Sequence, residues 1–177
     1  MKPILLIIGS FLFLSDSYSQ KLSEALQKLG SNPLIFLDSQ EVEFNDIRDY
    51  DPFDIAHVEI IVGKKALKLL GERGKDGLVN ITTVKKAKMS YWKYFSSKSS
   101  DYKNLVPDPL GDTTVQYILN GELLPNRHDG ALYQIANKNF RKLKMIGKDE
   151  LINKYQVTGR DIGVVIKAKK VKNVKAD

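Results

Sequence analysis

The sequence predicts an α+β fold made of two tandem, related copies of a small mixed-sheet unit with short helices. Two observations carry this reading. Short runs of aliphatic and β-branched residues, each long enough only for a strand, alternate with short amphipathic stretches and glycine-bearing turns. The same order of segments then recurs about 82 residues further on at the first strand and about 85–86 at the last.

The chain of 177 residues opens with Lys2 and the apolar run 4–15, ILLIIGSFLFLS, followed by small residues at Ser17 and Ser19. These are the parts of an export signal over residues 1–19, with cleavage leaving Gln20 first. A buried core segment is the other reading of the run, which falls short of the roughly 20 apolar residues that span a bilayer. No transmembrane span is expected once the signal is removed. There is no cysteine, which excludes disulfides, thiolate metal sites and a cysteine nucleophile. Export without disulfides suits a periplasmic, outer-membrane-associated or secreted bacterial protein.

The first unit is expected over residues 20–86. Leu22, Ala25, Leu26 and Leu29 fall at helical spacing before Gly30. A strand over 34–37 runs into a turn at Asp38 and Ser39, and the paired acids Glu41 and Glu43 read as a solvated face. A second turn is marked by Asp51-Pro52. Ile55, Val58, Ile60 and Val62 then suggest a helical turn leading into a strand over 57–62. A short helix over 65–70, a loop over 71–77 and a strand over 78–84 complete the unit.

The loop holds Gly71, Gly74 and Gly77 and could be taken for a phosphate cradle. That reading fails on chemistry. A phosphate loop needs Ser or Thr after its Gly-Lys and lies between a strand and the helix it opens. Here Asp76 follows Gly74-Lys75, Leu69 occupies the place of the first glycine, and the loop runs from helix to strand. The structural reading accounts for every residue: Gly71 as a helix C-cap, Gly74 and Gly77 in a tight loop, and Lys65 and Lys68 near the negative end of the helix dipole.

Residues 87–114 lack either period and read as a linker or long surface loop, with Tyr91, Trp92, Tyr94 and Phe95 pinned against a domain rather than stacked on bases. Residues 115–170 form the second unit. Ile55, Val58, Ile60 and Ile61 match Phe140, Leu143, Met145 and Ile146, and Gly74-Lys75-Asp76 matches Gly159-Arg160-Asp161. After one inserted residue, Gly77-Leu78-Val79 matches Gly163-Val164-Val165.

Charge divides unevenly. Residues 1–86 hold 11 Lys and Arg against 12 Asp and Glu, whereas 87–177 hold 17 against 9. The basic tail 171–177 either solubilises the chain or meets an anionic surface or acidic partner; nucleic acid fits an exported protein least. Of the two histidines, His128 lies in Arg127-His128-Asp129-Gly130, a surface turn before a helix at Ala131 rather than a metal pair. No strained nucleophile elbow is present, and the sequon at Asn80–Thr82 falls inside a predicted strand. No catalytic, cofactor-binding or metal-ligating residue is assigned, and the chain reads as non-enzymatic.

The stretch from Pro33 to Lys86 resembles the plug domain of TonB-dependent outer-membrane receptors. It is most similar to the form in Bacteroidota SusC-like receptors and at the C-terminus of some membrane metallopeptidase sensors. The resemblance rests on Asp38, Asp51-Pro52, Asp54-Ile55, Val58, Ile60, Val62, Ala66, Gly71, Gly74, Gly77 and Ile81-Thr82-Thr83. Ser39, Leu70 and Val84 depart from the family pattern, and the second copy keeps Asn120-Gly121, Gly159 and Gly163 without the threonine pair. In the receptors this domain closes a β-barrel, which the remaining residues cannot supply. The resemblance therefore implies stand-alone, plug-like units without catalysis that bind an envelope protein or small ligand. Arg73, Lys75 and Arg160 are the candidate interaction residues. The alternative is a structural envelope protein held on anionic surfaces by its basic half.

Overall fold

A computed structural model describes residues 27–48, 50–110 and 113–169, divided into two compact units that meet in sequence at Thr83 and Val84. The expected signal, most of the helix from Leu22 and the basic tail lie outside the described residues.

The first unit comprises β1 (Leu34–Leu37), β2 (Gln40–Val42), α1 (Phe44–Arg48), β3 (Ile55–Ile61), α2 (Gly63–Leu70) and β4 (Leu78–Thr83). Its sheet has the order β2-β1-β4-β3, with β1 parallel to β4 and the other pairs antiparallel. Asp38 and Ser39 both adopt positive φ (51° and 74°), the backbone that lets a two-residue loop match the twist of a hairpin. One face of the sheet buries Ile35, Val58, Val79 and Ile81 with Leu29, Ile47 and Ile55; on the other, Ala66 of α2 packs with Ile61 and Leu78.

The second unit comprises α3 (Val84–Ser96), α4 (Ser100–Leu105), β5 (Val115–Leu119), β6 (Glu122–Leu123), α5 (Asp129–Tyr133), β7 (Phe140–Gly147), α6 (Lys148–Tyr155) and β8 (Ile162–Ala168). Its sheet order, β6-β5-β8-β7, reproduces the first with the same strand senses. Asn120 and Gly121 take the positive-φ places of Asp38 and Ser39. The register repeats as well: Val58 opposes Ile81 and Ile60 opposes Val79, as Leu143 opposes Ile166 and Met145 opposes Val164. Even the irregularity after Ile55 recurs after Phe140.

Four expectations are corrected. The helical turn that leads into β3 lies earlier than expected: it is a 3-10 turn over Pro52–Asp54, and the strand already starts at Ile55. Asp51 caps that turn by accepting the Phe53 N–H at 2.8 Å. The last strand stops at Thr83, because Val84 already belongs to α3. The inserted residue is not needed: Leu78 lies opposite Ile61 as Gly163 lies opposite Ile146, so Leu78 corresponds to Gly163 and Val79 to Val164. Finally, 87–114 is no linker. It holds most of α3 and all of α4, whose Tyr91, Phe95 and Tyr102 are buried with Tyr117, Val164 and Ile166. Phe95 meets Tyr102 edge-on at 5.7 Å between centroids, and Trp92 donates Nε1–H to the Val106 carbonyl at 2.6 Å. The aromatics are pinned against this unit as expected, Tyr91 and Phe95 within its core and Trp92 and Tyr94 partly buried against it.

Candidate functional site

The motif residues of the first unit converge on the sheet end next to the β1–β2 turn. The αL backbone of Asp38 aims its carboxylate at the end of β4. One oxygen accepts the Thr83 N–H at 2.8 Å and the other accepts the Thr83 hydroxyl at 2.7 Å. The Asp38 N–H in turn donates to the Ile81 carbonyl at 2.9 Å. The second unit repeats half of this clasp: Asn120 donates its N–H to Ile166, and its Oδ1 accepts the Ala168 N–H at 3.0 Å. Alanine brings no hydroxyl, so an amide there has only one donor to satisfy. Thr82 and Ile55 are buried, and Asp54 is exposed at the end of the 3-10 turn.

The glycine loop begins with Gly71, the C-cap of α2 at φ 60°, whose N–H donates to the Leu67 carbonyl. A Cβ on Gly74 would stand 2.4 Å from the Ala66 carbonyl oxygen, so this position fixes how closely the loop approaches α2. Asp76 tethers the loop's far side, its carbonyl accepting from the Gly30 N–H at 2.8 Å and its carboxylate from the Asn32 N–H at 3.1 Å. The residue that excludes a phosphate cradle is thus an anchor.

Of the candidate interaction residues, Lys75 is exposed, and Arg73 is exposed but paired with Glu41 at 2.5 Å. Arg160 is half-buried, donating to the Thr113 carbonyl and, at 3.4 Å, to Asn126. Arg73 and Arg160 therefore strap neighbouring segments of their own units. The histidines are not brought together into a site. Burial lowers the His57 pKa from its ordinary value, against the opposing pull of Glu59. His128 packs on the Tyr117 ring at 4.8 Å, with Nδ1 2.8 Å from the Pro125 carbonyl.

The expected surface turn at Arg127–Gly130 is also corrected. Asp129 is buried and accepts the Tyr91 hydroxyl at 3.1 Å. Tyr102 and Tyr117 share a hydrogen bond of 2.9 Å between their hydroxyls in the same core. Among the described residues, no three His, Asp or Glu side chains gather to hold a metal ion, and no helix is long and apolar enough to cross a membrane.

One feature escaped the sequence. The outermost strand β7 carries Arg141, Lys142 and Lys144, all exposed, and Lys142 lies directly opposite Lys167 of β8. The alternation of cations with Leu143 and Met145 was the available signal. Compared with protein-family models, with curated proteins and with solved structures, the chain gives no match.

Proposed function

We propose that the chain is an exported, non-enzymatic binding module of the bacterial cell envelope, built from two plug-like units and linked to outer-membrane uptake or signalling. The observation that carries this reading is the Asp38–Thr83 clasp. It gives the most distinctive motif residues of the resemblance a purely architectural task, which leaves loops and sheet edges as the surfaces for a partner. The apolar run at 4–15 supports export. Contact through the loop around Arg73 and Lys75, or by strand addition at an open edge, follows from the same architecture.

Two measurements test this. Expression in a bacterial host followed by mass spectrometry of the mature N-terminus should find Gln20 first; a cytoplasmic chain that retains Met1 refutes export. Affinity capture from envelope extract should return a specific partner, weakened by Arg73→Ala or Lys75→Ala where the loop is the contact.

A second reading, a structural protein held on anionic lipid or polysaccharide, is favoured by the excess of 17 basic over 9 acidic residues in 87–177. It predicts binding that fades steeply between low and physiological salt.

A further inference from the structure

We propose that the open edge of β7 is a strand-addition site for an extended segment in which acidic residues alternate with apolar ones. This rests on the binding-module reading and names the partner's chemistry. β7 pairs with β8 on one side, and among the described residues no strand covers its other side. An uncovered edge presents a row of backbone donors and acceptors to any extended chain.

The duplication supplies an internal control. Lys142, Lys144 and Lys167 stand where the first unit has His57, Glu59 and Thr82, and Lys169 stands where it has Val84. Arg141 likewise replaces Ala56. The same strand order and register form with either set, so the fold does not require the cations. Lys142 opposite Lys167 is a like-charge pair, which weakens a sheet. Lysine on an edge strand also deters neutral or self-complementary strands. That explains Lys142 and Lys144 but not Lys167, which sits on an internal strand. Of Arg141, Lys142, Lys144, Lys167 and Lys169, only Lys144 has an acidic partner among the described residues, Glu150 at 3.1 Å.

The geometry specifies the guest. Lys142 and Lys144 share a face with Ile146, which packs under Leu151 of α6. Leu143 and Met145 share the opposite face, against the aromatic core. Side chains on an added strand would alternate likewise, placing acids beside Lys142 and Lys144 and apolar groups beside Leu143 and Met145. The lysines thus act as a filter that rejects other strands and admits an acidic one.

The test is a fluorescence-anisotropy titration of the full chain with a labelled short peptide alternating aspartate and valine. It should bind, and an asparagine–valine peptide should bind about tenfold more weakly or worse. N-methylation of one alternate set of peptide amides should abolish binding, whereas methylation of the other set should be tolerated, because a strand pairs through every second residue. K142E/K144E should weaken binding by about tenfold or more, with the Trp92 emission unchanged as a check on folding. Equal binding of a peptide with its acids grouped together, tolerance of both methylated sets, or equal competition by anionic vesicles would overturn the proposal. So would self-association through this edge without peptide uptake. Envelope capture undiminished in K142E/K144E overturns the edge assignment and leaves the binding-module reading standing. Edge binding by a chain that is not exported refutes the envelope reading alone.

Discussion

Replacing Asp38 by alanine removes both acceptors of the clasp while leaving the turn in place. The Thr83 N–H and hydroxyl lose partners at 2.8 and 2.7 Å, and Thr83 is 7% exposed, so water reaches them poorly. Hydrogen bonds to a charged acceptor contribute about 1.5–3 kcal/mol each, and the partial exposure of Asp38 places both at the lower end. Alanine at φ 51° adds about 1 kcal/mol of backbone strain. The expected loss is therefore about 4 kcal/mol, a large share of the stability of a small unit. Asp38→Asn keeps an acceptor for the Thr83 N–H and should cost only about 1 kcal/mol. Thr83→Ala should cost a similar amount. The double variant Asp38→Asn/Thr83→Ala recreates the pairing of Asn120 with Ala168, and its loss should fall short of the sum of the singles by about 1 kcal/mol. Urea unfolding followed by circular dichroism, with hydrogen exchange at the Thr83 and Ile81 amides, measures both quantities. Trp92, the single tryptophan, lies in the other unit and serves as an internal reference. A loss below about 1 kcal/mol for Asp38→Ala, or strict additivity of the double variant, would refute the clasp as a stabilising element.

Equivalent glycines should respond unequally. Gly74→Ala places a Cβ 2.4 Å from the Ala66 carbonyl and should cost about 2 kcal/mol or more, whereas Gly159→Ala meets nothing within 4 Å and should cost only about 1 kcal/mol for its φ of 75°. Urea midpoints that rank them the other way would disprove this account of the loop. In the aromatic core, Tyr102→Phe and Tyr117→Phe should each destabilise the second unit by about 1–2 kcal/mol, and the double variant by less than the sum, since both act on one hydrogen bond. Trp92 fluorescence follows this unfolding, and additive losses would show that the hydroxyls are not coupled. His57 has its folded pKa lowered, first by burial and against Glu59. As pH falls the unfolded chain takes up the proton first, so its contribution is present above about pH 6.5 and is lost progressively below that value towards the folded pKa. His57→Gln should flatten that part of the stability profile, and an unaltered pH dependence would remove His57 as its source.

The legible and the hidden parts of this fold differ for physical reasons that named residues make plain. Matching Ile55, Val58, Ile60 and Ile61 to Phe140, Leu143, Met145 and Ile146 was possible because strand register is written in alternation, and the observed pairings follow it residue by residue. The turns were legible because Asp38-Ser39 and Asn120-Gly121 carry residue types suited to positive φ. The clasp was not, since a bond from residue 38 to residue 83 leaves no trace in either neighbourhood.

Helix α3 hid for a different reason. Its inward residues Ala87, Tyr91 and Phe95 do stand four apart, but Trp92 and Tyr94 broaden the stripe until the period disappears. Those two are not idle. Trp92 is fixed by the Val106 carbonyl, and Tyr94 meets Phe140 edge-on at 5.7 Å. Nor does a loop announce the helix, since it starts directly where β4 ends. The basic half was visible as a number, +8, without a location. Only the pairing of β7 with β8 turns part of that number into a row of lysines beside an open edge. The same set in the first copy would need substitution of His57 and Glu59 on β3 and of Thr82 on β4, and Thr82 is buried. Burial therefore keeps a counterpart of Lys167 out of the first copy, and the two copies have the same architecture with different chemistry at their edges.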